Sequence, residues 1–189
     1  MRRPDRMMPV SNSEDVTTQR LLLSPMSQSD LGELFPIFHD PAGWVHDPAG
    51  RHLSIVASAA FMDRAAARWP KDGLSYWTVR LRDTGEVAGM GGVQRHKTGS
   101  WNLAYRLRAD HWGRGYATEV GAAAIEAAHA YDDSVPVIAW IAEVNTGSRR
   151  VAERLGLTSY GLRVDDNDGQ VRLAYADRPL APVSPAASA

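Results

Sequence analysis

The stretch best suited to chemistry reads Tyr105-Arg106-Leu107-Arg108-Ala109-Asp110-His111-Trp112-Gly113-Arg114-Gly115-Tyr116-Ala117-Thr118-Glu119. A strand-like run leads into a loop with two glycines, and the loop opens directly into an Ala-rich helical pattern. Glycine lets the backbone turn so that successive N–H groups point one way, with no Cβ in the path of a ligand. The first amides of a helix have no internal acceptors and sit at the positive end of its dipole. Together these features make a cradle for a phosphate or pyrophosphate. The plainer alternative is a helix opening with two loop glycines and no ligand. Two common phosphate motifs do not fit. The nucleotide-hydrolase loop needs Lys and Ser/Thr after its last glycine, and Gly115 is followed by Tyr116 and Ala117. The dinucleotide fingerprint needs a third glycine where this chain has Thr118, and it belongs near the start of a parallel sheet.

The elements that must position this loop alternate along the chain. Residues 17–24 carry the apolar run Leu21-Leu22-Leu23 and predict a strand. Ser27 is an N-cap candidate with Asp30 in the first turn, and Leu31, Leu34, Phe35 and Phe38 then share a helical face. Residues 40–50 read as loop. Residues 52–69 predict a second helix, ended by Pro70, Asp72 and Gly73. Strands are expected over 75–81, 86–93 and 101–107, separated by Asp83-Thr84-Gly85 and Thr98-Gly99 turns. Gly89, Gly91 and Gly92 weaken the second of these unless something packs closely there. The Ala-rich helix runs to about residue 131. A β-prone run covers 135–144, and a helix covers 148–155, stopped by Gly156. A hairpin over 158–164 and 171–176 closes the chain. The order β-α-α-β-β-β-α-β-α-β-β implies a mixed α/β (α+β) domain: a mostly antiparallel central sheet with helices on both faces. A parallel pair is allowed only across the helix joining 101–107 to 135–144. Residues 1–16 are expected to form a flexible arm, 17–180 the domain, and 181–189 a disordered tail.

Bulk composition narrows the function. The chain has 189 residues, 44% hydrophobic and 23% charged, as one soluble domain would. Its net charge is -1 and its basic residues form no run beyond residues 1–6, which disfavours a nucleic-acid partner. With no cysteine there is no disulfide, thiolate metal site or cysteine nucleophile, and a reducing cytoplasm is the expected compartment. No apolar run follows the N-terminal arginines, and no stretch is long and apolar enough to span a bilayer.

Three separated motifs carry a family resemblance. Trp112-Gly113-Arg114-Gly115-Tyr116-Ala117 is similar to the acetyl-CoA loop of GNAT acetyltransferases, Gln/Arg-x-x-Gly-x-Gly/Ala, with Trp112 at the Gln/Arg position. Continued through Thr118 and Glu119, it resembles the loop of the branch that acetylates the N-terminal amino group of ribosomal proteins. Thr18-Gln19-Arg20-Leu21-Leu22-Leu23-Ser24-Pro25 with Asp30 resembles that branch's opening. Asn145-Thr146-Gly147-Ser148 followed by Leu155-Gly156-Leu157 resembles its Asn-x-x-Ser and Leu-Gly-Phe pattern.

The resemblance implies an N-acetyltransferase that moves an acetyl group from acetyl-CoA to a primary amine, without a metal. It implies that the amides from Trp112, Gly113, Arg114, Gly115, Tyr116 and Ala117 into Thr118 hold the CoA pyrophosphate, and that Arg114 adds a charge. Pantetheine would lie between splayed strands at 101–107 and 137–144, bonded by backbone groups up to Leu107 and by Asn145. A backbone N–H there would polarise the thioester. The tyrosine many relatives carry on the last helix is Ala152 here; the resemblance to the branch that uses the serine of Asn-x-x-Ser implies that Ser148 serves the leaving thiolate, with plain helix capping as the alternative. The glutamate that relatives place before the loop is Asn102, so Glu143, expected on the cleft strand and on the face of Asn145, becomes the candidate base. His96 and His111 are the other candidates. Glu119 reads as a structural residue favoured by the helix dipole. The acceptor is expected to be a peptide N-terminus or a small amine, bordered by the 40–50 loop with Trp44, His46 and Asp47. An α-amine titrates near ~8 and a lysine near ~10, so the former needs less help to lose its proton. A homodimer is an open expectation. The rival readings are acetylation of an antibiotic or polyamine, and a non-catalytic acyl-CoA sensor.

Overall fold

The computed structural model describes residues 15–180. Most of the expected arm and all of the expected tail lie outside the described residues. Within them the chain forms eight strands and four α-helices. The single strand expected at 17–24 is a hairpin, β1 (Val16–Thr17) and β2 (Leu21–Pro25). Thr18 closes its turn: its N–H donates to the Leu21 carbonyl, and its Oγ1 accepts from the Leu21 N–H at 3.1 Å. A 3-10 turn at Gln28–Asp30 precedes α1 (Leu31–His39). The Asp30 carboxylate accepts from the Ser27 N–H, as an N-terminal acid should, and also from Thr78 and Arg80 of the sheet.

Helix α2 (Ile55–Asp72) starts later than expected, because Ser54 is its cap, and it runs through Pro70 to a left-handed Gly73. Three antiparallel strands follow: β3 (Tyr76–Leu81), β4 (Val87–Arg95) and β5 (Trp101–Leu107). Then come α3 (Tyr116–Asp132), β6 (Val137–Ile141), α4 (Thr146–Arg154), β7 (Thr158–Val164) and β8 (Val171–Ala176). The sheet order is β1-β2-β3-β4-β5-β6-β8-β7, and β5–β6 is the parallel pair.

Side chains alternate across the sheet, so each face buries its own core. Trp77, Val79, Trp101 and Leu103 pack with Val120, Ala124 and Ala128 of α3 on one face. Tyr76, Met90, Phe38, Leu34 and Met62 pack on the other, against α1 and α2. The β4 glycines mark where this packing is closest. A Cβ on Gly89 would lie 2.1 Å from the Arg106 carbonyl oxygen, and one on Gly91 would lie 2.9 Å from Val120. Among the described residues no helix is long and apolar enough to cross a membrane.

Strand β6 corrects one expectation. It stops at Ile141 rather than 144, because the chain turns there to enter α4, and the Asn145 N–H closes that turn on the Ala142 carbonyl at 2.8 Å. Glu143 therefore lies in an exposed turn, not on a strand in register with Asn145.

Candidate active site

The decisive geometry is a parting of β5 and β6. They pair only at Trp101↔Val137 and Asn102↔Ile138. Beyond that, β5 stays with β4 along its whole length and β6 stays with β8. The inner edges of both strands are left without a strand partner, over 103–107 on one side and 139–141 on the other. They face a cleft of about 870 Å³ that runs from the glycine loop to the 40–50 loop. Unpaired backbone N–H and C=O groups need partners, and an extended amide-bearing ligand supplies them.

At one end of the cleft sits the cradle. Gly113 and Gly115 adopt φ of +75° and +83°, in the left-handed region that favours glycine. Gly115 caps α3, and the first intrahelical bond there is from the Glu119 N–H to the Gly115 carbonyl at 3.1 Å. The amides of Tyr116, Ala117 and Thr118 thus lack intrahelical acceptors, and these residues line the cleft. The loop is buttressed from the N-terminal hairpin. Arg20 donates to the Arg114 carbonyl at 2.8 Å, lies 4.7 Å from the centroid of the Tyr116 ring, and pairs with Glu119 at 2.7 Å. Glu119 also accepts from Thr18 Oγ1 and the Arg20 N–H. Burial works against its charge, but these bonds outweigh it and hold its carboxyl below the usual range. Glu119 is a strut between β1–β2 and α3.

In the middle of the cleft, Asn145 and Ser148 divide two tasks. The Asn145 Oδ1 caps α4 by accepting from the Ser148 N–H at 3.0 Å, which leaves its NH₂ group for other partners. The Ser148 hydroxyl does not cap; it lies near the Tyr105 phenol of β5, whose ionised form it favours. Burial raises the Tyr105 pKa, and the neighbouring Ser148 hydroxyl pulls the other way. Ala152 is buried one turn later on α4.

The far end is the 40–50 loop, folded as two 3-10 turns, Pro41–Trp44 and Pro48–Gly50. Gly43, Val45, His46 and Asp47 line the cleft, whereas Trp44 is buried and donates from Nε1 to the Phe38 carbonyl at 2.6 Å.

A family model described as an acetyltransferase (GNAT) domain matches residues 20–158. The chain belongs to the GNAT acetyltransferases. Solved structures share its fold. An acetyltransferase from Agrobacterium tumefaciens is 24% identical, with a TM-score of 0.73 over 88% of this chain and 95% of its own. RimJ from Mycobacterium smegmatis, solved with a CoA-disulfide, is 19% identical, with a TM-score of 0.70 over 88% of each chain. RimL, a ribosomal alpha-N-protein acetyltransferase solved with coenzyme A, is 15% identical, with a TM-score of 0.68 over 86% of this chain and 97% of its own.

In this GNAT chain the cleft wall gathers Leu107, Trp112, Gly113, Gly115, Tyr116, Ala117, Thr118, Glu143, Asn145 and Ser148. Arg114 is not part of that wall; its carbonyl instead holds Arg20. His96 is not part of it either. Its Nε2 donates to Asp165 at 2.9 Å while Nδ1 accepts from the Thr98 N–H, tying the β4–β5 turn to the β7–β8 turn. His111 does line the cleft, buried, with no hydrogen-bond partner on either ring nitrogen. A Glu86 oxygen lies 3.7 Å away, too far for a hydrogen bond. Asp47 and Glu143 are the carboxylates of the wall. Sequence reasoning missed several wall residues, four of which bear on function. Arg150 and Arg154 stand one turn apart on α4, a spacing visible in the sequence. Tyr105 and Arg106 carried no local signal, because their partners are distant in the chain.

Proposed function

We propose that this protein transfers the acetyl group of acetyl-CoA to a primary amine, with a protein N-terminal amino group as the leading acceptor class. The observation that carries this reading is the pair of unpaired strand edges running up to the glycine-capped start of α3. That layout suits CoA: amides at 116–118 for pyrophosphate, β5 and β6 backbone for pantetheine, and Arg150 and Arg154 as added cations for phosphate. The RimJ and RimL neighbours, both solved with CoA ligands, support it. The acceptor would enter from the opposite end, under the 40–50 loop. The absence of cysteine supports a cytoplasmic setting.

The chemistry needs three services. A backbone N–H on the free edge of β5 polarises the thioester carbonyl. Glu143, a wall carboxylate beside Asn145, takes the amine proton through water. The Ser148 hydroxyl donates a hydrogen bond to the departing thiolate. A small amine is the alternative acceptor, and the asparagine at 102 keeps a non-catalytic acyl-CoA sensor as the competing reading.

The test is direct. Acetyl-CoA should raise the melting temperature where NAD and ATP do not. A screen of free-N-terminal peptides and small amines should then release CoA thiol. Glu143→Gln should depress the rate most at low pH, and Asp47→Asn serves as the paired control. No thermal response to acetyl-CoA would sink the reading; tight binding with no acceptor would favour the sensor.

A further inference from the structure

The acceptor wall of the cleft holds a cation with no ion-pair contact among the described residues. Asn102, Ala104 and Arg106 alternate onto the α1–α2 face of β5, opposite Tyr105 and the CoA-side helices. Behind them lies a side cavity of about 170 Å³, walled by the rings of Phe38, Trp44, His52, Phe61 and Tyr76, and sharing Arg106 with the main cleft. The Arg106 guanidinium lies 3.3 Å from the Trp44 ring centroid and donates to the Gly43 carbonyl. No described carboxylate forms an ion pair with it. Elsewhere half-buried arginines are neutralised: Arg80 meets Asp30 and Glu33, and Arg172 meets Asp165 and Asp168. Burial pulls the Arg106 pKa down to about 10, opposed by the more distant charge of Asp47.

A guanidinium has five N–H donors in a fixed fork that matches a carboxylate. Stripping it of water without an anion is costly, and an arriving anion recovers that cost. The neighbouring cavity is mostly ring-lined and has room for about five or six waters' volume, the size of one apolar side chain. We propose that the acceptor is an amine that also carries an anionic oxygen group, a carboxylate in the simplest case. That group pairs with Arg106 while an apolar side group enters the ring-lined cavity. The inference rests on the acetyl-transfer reading above and narrows its substrate. The anion has two sources: the carboxylate of a free amino acid, or an acidic side chain near a peptide N-terminus.

The experiment measures CoA release with acetyl-CoA and three acceptor sets. These are phenylalanine, leucine and methionine; their carboxamides; and short peptides with an acidic or a neutral residue at the first two positions. Values of kcat/KM are compared after correction to the free amine. The anionic member of a matched pair should exceed its neutral analogue by about 10- to 150-fold, the range of a charge-assisted bond. Free amino acids leading identifies the first source; acidic peptides leading identifies the second. In Arg106→Gln the anionic-to-neutral ratio should fall towards one, whatever the absolute rates, and Arg106→Lys should keep part of it. Should a variant fail to fold, the wild-type ratio decides alone. The proposal is overturned if neutral analogues do as well as anionic ones, if the ratio survives Arg106→Gln, or if acetyl-CoA binds and no anionic amine reacts. Loss of acetyl-CoA binding by the wild type in calorimetry is a different failure, that of the transfer reading itself.

Discussion

Glu119→Gln separates a strut from a catalyst. The wild-type carboxylate accepts three bonds, from Thr18 Oγ1 at 2.6 Å, the Arg20 N–H at 2.7 Å and Arg20 Nε at 2.7 Å. A glutamine keeps one oxygen acceptor but turns an NH₂ towards a donor, so at least one charge-assisted bond is lost. Such a bond is worth about 1.5–3 kcal/mol. The Arg20 side chain is 42% exposed, and water screens the pair, so the lower end applies, about 1–2 kcal/mol. For a domain of this size that lowers Tm by roughly 2–8 °C. Arg20 also holds the Arg114 carbonyl and packs on Tyr116, so a loosened Arg20 leaves the cradle amides less ordered and acetyl-CoA affinity falls several-fold. Differential scanning fluorimetry and calorimetry read the two effects. A variant with wild-type Tm and wild-type acetyl-CoA affinity refutes the strut. If kcat alone collapses, Glu119 acts in the chemistry instead.

Three further outcomes follow from the same geometry. Gly115→Val should abolish the acetyl-CoA thermal shift, because φ there is +83° and a Cβ would already lie 3.3 Å from the Arg20 guanidinium. Ser148→Ala should cut kcat by about 10- to 150-fold with acetyl-CoA affinity nearly intact, whereas Asn145→Ala should weaken acetyl-CoA and cost about 1 kcal/mol as a lost cap; normal turnover in Ser148→Ala removes its leaving-group role. Acid should destabilise the fold through Asp177 among others. Burial disfavours its charge, but bonds from Arg178, His129 and the Val137 N–H overcome this and depress its pKa. A depressed carboxylate contributes stability above its unfolded pKa near ~3.9 and loses it as pH falls through the folded value, so Asp177→Asn should flatten the Tm–pH curve below pH ~4.

The folded chain explains why some motifs were readable and others were not. The glycine loop was legible because its requirement is local: two positive-φ residues and a helix start are encoded within a few neighbouring positions. The opening Thr18–Arg20 motif was legible as a pattern, but its purpose was not, since it exists to brace a loop about a hundred residues away. Strand and helix order followed from periodicity and turn residues. The end of β6 did not, because Ala142, Glu143 and Val144 hold no Gly, Pro or Asn to mark a stop, while the Asn145 cap draws the chain into α4 first.

The sequence by itself determined the element order, the two-faced sheet, the glycine cradle and the family. Those depend on neighbours in the chain and on short motifs. Only the tertiary structure decided how far β5 and β6 part, that Ser148 faces Tyr105 across the cleft, and that Arg106 packs half-buried on Trp44 without an ion-pair partner. Each of these is a relation between residues far apart in sequence, and burial, pairing and desolvation arise only when such residues are packed together.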